Sequence, residues 1–160
     1  MISKFAFSLI VISFYLATPV TAHVVIDQST APTGINTFIS FRVIHGCDGS
    51  PTTGLKVLLP KGISYVVPQF KPGWAFDRSQ MKTDETQLEI SWQGGPIPPD
   101  MYDRFEIETR FSDEPGSLLS FKVVQHCEDG EIRYVDIPEQ QSLPWETPNP
   151  APSIRLTSPK

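Results

Sequence analysis

"NTFISFRVIHGC", residues 36–47, sets the fold class. Ile39, Phe41, Val43, His45 and Cys47 fall on one face of an alternating pattern, and Ser40 and Arg42 fall on the other. Side chains alternate across a strand with a period of two, so this stretch predicts a strand with one buried and one wet face. The same period recurs downstream. Residues 86–93, "TQLEISWQ", set Leu88, Ile90 and Trp92 against Gln87, Glu89, Ser91 and Gln93. Residues 103–111, "DRFEIETRF", set Phe105, Ile107, Thr109 and Phe111 against charged neighbours. Residues 118–127, "LLSFKVVQHC", bring Leu119, Phe121, Val123, Gln125 and Cys127 to one face. "GLKVLLP" at 54–60 and "GISYVVP" at 62–68 read as further strands, and Asp129-Gly130 reads as a hairpin turn into another. With 16 prolines and 10 glycines spread along the chain, uninterrupted helical patterns are scarce. Seven or eight strands predict an all-β protein, a β-sandwich of two antiparallel sheets of immunoglobulin or cupredoxin type. The tail from Gln140 onward, with Trp145, is expected to pack over the sandwich and end in a short edge strand, "SIRLT".

The start of the chain reads differently. Lys4 precedes an apolar run from Phe5 to about Ala17, and Val20-Thr21-Ala22 offers a small-residue cleavage site. Residues 1–22 are therefore expected to be a signal peptide and 23–160 a single domain, exported to the periplasm or secreted, whose first residue is His23. The apolar run is shorter than the ~20 residues that span a bilayer, and no second such run follows, so no membrane anchor is expected. The formal charge is −5, and an acidic chain without a basic cluster argues against nucleic acid as a partner. Cys47 and Cys127 are the chain's two cysteines. In an oxidising compartment they read as one disulfide, within a sheet or between sheets, worth about 4.5 kcal/mol in the chain-entropy model.

An N-terminal histidine presents an α-amine and an imidazole Nδ1 that can chelate one metal ion. Two nitrogens in that arrangement suit Cu(II), which prefers a tetragonal plane. The amine must lose its proton to bind, so affinity should rise with pH. On spacing alone, an exposed first residue with no task is the slightly favoured reading of His23. Asp48, one residue after Cys47, can offer a carboxylate, and Asp48-Gly49 also reads simply as a turn. His45 shares the inward parity of Cys47 and reads as a core or outer-sphere residue, whereas His126 should face solvent. Zinc spacings, a Walker loop, a dinucleotide fingerprint and a nucleophile elbow are all missing. Glu106 and Glu108 share a strand face with arginines and read as solvated surface, not as a glycosidase pair.

The "STAPTG" turn, "FRVIHGCDGSPTTGLKVLLPKG", "PQFKPGW", "SWQGGPIPPDMYDRFEIETRF", "FKVVQHCEDGE" and "PAPSIRLT" together resemble the YcnI-like family of bacterial secreted copper-binding domains. The resemblance spans nearly all of the chain after Ala22. It implies a β-sandwich that binds one Cu(II) ion through the amine and imidazole of the mature N-terminal histidine, an acidic side chain after the second strand, and a tryptophan beside the metal. By position these fall on His23, Asp48 and Tyr134. Asp48 is one methylene shorter than the implied glutamate, and Tyr134 replaces the indole with a phenol.

The expected function is thus a copper chaperone or sequestration protein, not an enzyme, exchanging copper with another periplasmic chaperone or a membrane copper transporter. A copper-dependent polysaccharide monooxygenase would need a second histidine, for which only His45 or His126 is available. A metal-free adhesion or scaffold sandwich is the third reading.

Overall fold

A computed structural model describes residues 23–77, 88–137 and 147–159. The expected leader, residues 1–22, and Trp145 lie outside the described residues. The strands, in chain order, are β1 (Val24–Ile26), β2 (Thr30–Pro32), β3 (Asn36–Val43), β4 (Thr52–Leu58), β5 (Ile63–Pro68), β6 (Trp74–Asp77), β7 (Glu89–Ile97), β8 (Asp103–Phe111), β9 (Leu118–Ser120), β10 (Lys122–Cys127), β11 (Glu131–Tyr134) and β12 (Ser153–Thr157).

Two antiparallel sheets form the sandwich, one ordered β1-β3-β8-β5 and the other β11-β10-β4-β7-β6. Their inward faces are the apolar faces of the alternating stretches. Ile39, Phe41 and Val43 of β3 and Phe105, Ile107 and Phe111 of β8 are buried, as are Ile90 and Trp92 of β7. Trp92 meets Phe105 across the gap at 5.4 Å between ring centroids, and Phe41 meets Phe121 edge-on at 5.4 Å. Burying large side chains of this kind stabilises by about 1.5–3 kcal/mol each. Trp74, from the edge strand β6, lies across Gly95, where a Cβ would come within 2.8 Å of the indole. Glycine is needed there for close approach as well as for its φ of +82°.

Three expectations change. The stretch 118–127 is not one strand: it breaks at Phe121, whose N–H donates to Pro152 O at 2.9 Å. Its first part, β9, joins a third sheet ordered β2-β12-β9, in which β12 runs parallel to β2 and antiparallel to β9. "SIRLT" is therefore a central strand and not an edge strand, and its alternate residues Ile154 and Leu156 are in the core. Ser40, on the wet face by parity, is also buried, because Asp27 donates to its carbonyl and Gln28 Oε1 accepts its N–H.

Candidate metal centre

The site is built on the residues flanking β1 and β3. β1 pairs with β3 so that Val24 faces Val43. One step earlier, Ile44 N–H donates to His23 O at 3.1 Å, which fixes the backbone of His23 while its side chain stays exposed. The bond runs through the carbonyl of His23, not through its nitrogen.

After Val43 the chain leaves the sheet. Gly46 N–H donates to Pro99 O at 3.0 Å, and Cys47 and Ser50 exchange backbone hydrogen bonds of 3.0 and 2.7 Å. Asp48 and Gly49 form the tip of this tight turn at φ +47° and +84°. Successive positive φ values are the mark of a primed turn, for which Asp-Gly is among the best sequences. The turn reading of Asp48-Gly49 is thus what the backbone shows, and it leaves the Asp48 carboxylate exposed.

The loop is held down from β10 and the turn after it. Cys47 and Cys127 form a disulfide with S–S 2.01 Å and Cα–Cα 6.1 Å. It joins the loop that leaves the four-stranded sheet to the end of a strand in the five-stranded one. Asp129 N–H donates to Ser50 Oγ at 2.9 Å and Glu128 N–H to Pro51 O at 3.0 Å. Between the two turns lies a cleft of about 350 Å³ that Asp48, Asp129 and Glu131 help to line.

The structure places the other sequence candidates as follows. His45 is half-buried, not core, because β3 ends at Val43 and parity no longer applies; its Nδ1 lies 2.9 Å from Gly46 O. His126 faces outward as expected, with Nδ1 at 3.3 Å from Glu131 Oε2. Tyr134 is buried to 1 % exposure, and burial pushes its phenol well above the usual range. Its hydroxyl donates to Gln125 Oε1 at 3.3 Å, so Tyr134 reaches the loop through a glutamine. Gln125 is the residue that sequence reasoning passed over, and its signal was an amide at an inward position between Val123 and Cys127.

His23 and Asp48 therefore belong to one end of the sandwich, linked through Ile44 and the loop that follows, while Asp48 shares its cleft with Asp129 and Glu131. Among the described residues no three His, Cys, Asp or Glu side chains gather as a metal site. A metal here would rest on two side chains plus the backbone nitrogen of His23. That donor set, two nitrogens and a carboxylate oxygen on exposed residues, fits Cu(II) chemistry. Anchoring His23 through its carbonyl means that freeing its nitrogen as an amine sacrifices no bond to Ile44.

The arrangement defines a class: an all-β, immunoglobulin-like sandwich closed by one disulfide, with a histidine immediately before its first strand. The chain belongs to the family described as a domain of unknown function, DUF1775, which is the YcnI-like family domain and matches residues 23–156. An uncharacterized protein from Nocardia farcinica, whose crystal structure reveals an immunoglobulin-like fold, is similar at a TM-score of 0.69. It is 24 % identical, covering 85 % of this chain and 99 % of that one, and the likeness is one of fold. No curated protein matches the chain.

Proposed function

We propose that the protein is an exported Cu(II)-binding protein of copper homeostasis, a periplasmic chaperone or sequestration protein, whose ligands are the amine and imidazole of a mature N-terminal His23 and the carboxylate of Asp48. The observation that carries the reading is the position of His23: exposed, first before β1, and pinned by its carbonyl to Ile44. The family match also begins at His23, the residue that cleavage after Ala22 would make the terminus. An amine exists at this position only after that cleavage, so processing creates the site. Copper bound there would supply a redox-active cation held by nitrogen and oxygen donors. The chain's own part is to present those donors on a fixed strand end and a short, tethered turn.

The monooxygenase alternative needs a second histidine on the metal. A second brace histidine would have to be His45, in the loop beyond Ile44, or His126, on the outer sheet face against Glu131. For the chaperone reading, protein beginning at His23 is titrated with Cu(II) and followed by electron paramagnetic resonance. A nitrogen-rich type 2 spectrum is expected, lost in His23→Ala and in a variant with one extra residue before His23. Retention of the same spectrum in both variants would overturn the reading.

A further inference from the structure

We propose that Gln125 is a positioning residue of this site: its buried side-chain amide fixes the loop between Ile44, which holds His23, and Asp48. The inference rests on the copper reading and adds a residue to it.

Gln125 is fully buried on the inward face of β10, among the apolar side chains of the core. A buried amide there costs several kcal/mol unless its polar atoms are bonded. It is bonded to three separate segments. Its Nε2 donates to His45 O at 2.8 Å and to Thr52 Oγ1 at 2.7 Å, and its Oε1 accepts from the Tyr134 hydroxyl. The carbonyl of His45 can only accept, so the amide orientation is determined: nitrogen toward the loop, oxygen toward Tyr134.

The place of that carbonyl carries the argument. His45 follows Ile44, whose N–H holds His23, and precedes Asp48 by three residues. One Nε2–H therefore grips the chain between the anchor of the N-terminal chelate and the carboxylate. The disulfide grips the same loop at Cys47, one residue from Asp48. An apolar residue here would leave His45 O, Thr52 Oγ1 and the Tyr134 hydroxyl without these bonds, so the amide is explained by what it holds. Tyr134, at the position where the family resemblance implies a tryptophan, acts by keeping the amide turned toward the loop.

The test uses protein beginning at His23 and compares the parent with Gln125→Met, which keeps side-chain length and removes the amide. Melting curves check folding, and Tyr134→Phe is a second, milder variant that loosens the amide without removing it. In the metal-free protein, the Gln125→Met change should raise hydrogen exchange at the amides of residues 46–49 while the β3–β8 ladder stays protected. With Cu(II) as the probe, Gln125→Met should weaken binding about tenfold and alter the equatorial oxygen signature of the spectrum. It should add little in a chain already carrying Asp48→Asn, because both changes remove the same ligand. Equal affinity and spectrum in parent and Gln125→Met, or costs that simply add with Asp48→Asn, would overturn the assignment. Failure of the parent itself to bind Cu(II) would overturn the copper reading instead, and the exchange measurement reports separately on whether Gln125 holds the loop.

Discussion

Tyr134 carries the only buried phenol among the described residues, and its state depends on pH. Burial raises its pKa above the ordinary value near 10, so the folded protein favours the neutral phenol, the form that donates to Gln125. A raised folded value means that this stabilising contribution is complete below about pH 10 and is lost as pH climbs toward the folded value. Tyr134→Phe should cost about 1–2 kcal/mol near neutral pH, because Gln125 Oε1 loses its donor. Urea midpoints of the variant should then fall less steeply than those of the parent between pH 10 and 12. Equal slopes would mean that another group governs the alkaline limit. At this scale the sequence displays residue types but not their partners. His23 and Asp48 stand out in the sequence because the proposed copper site asks for a histidine made terminal by cleavage and for an exposed acid. Gln125 is visible only as an inward polar residue, and its worth depends on a carbonyl, His45 O, that lies 80 positions away.

Strands of six residues or more were legible from alternation, and the three-residue strands β2 and β9 were not. β3, β7, β8 and β10 bury the faces that their patterns predict, because a half-buried sheet imposes the period of two over several residues. β2 and β9 have three residues each, too few to show a period, and they exist because β12 lies between them. The parity argument failed at His45 for a related reason: it assumed that a strand continues as far as its pattern, whereas β3 stops where the chain turns toward Pro99. The packing of β12 into the core has a measurable consequence. Ile154 is fully buried, so Ile154→Ala should destabilise by about 2–5 kcal/mol, the range for deleting a core aliphatic side chain. A tail lying over the sandwich with Ile154 open to solvent would lose well under that. Chemical denaturation of the two proteins decides between them, and a loss below ~1 kcal/mol would take Ile154 out of the core.

Across the whole molecule, two tethers hold the same loop by different physics, and they should fail differently. The disulfide links residues 80 apart and acts largely by restricting the unfolded chain, which places its effect in global stability. The Gln125 amide exists only in the folded sandwich, so its effect falls on local opening of the loop. Replacing both cysteines, Cys47→Ala with Cys127→Ala, should therefore cost about 2–5 kcal/mol in urea unfolding. Exchange at residues 46–49, measured well below the unfolding midpoint, should change less than it does in Gln125→Met, because the amide and the Gly46–Pro99 bond still hold the chain. The reverse ordering, with the loop freed more by loss of the bridge than by loss of the amide, would assign the shape of the Asp48 turn to the covalent bond. The Gln125 network would then be a feature of core packing, and the carboxylate position would depend on the oxidation state of Cys47 and Cys127.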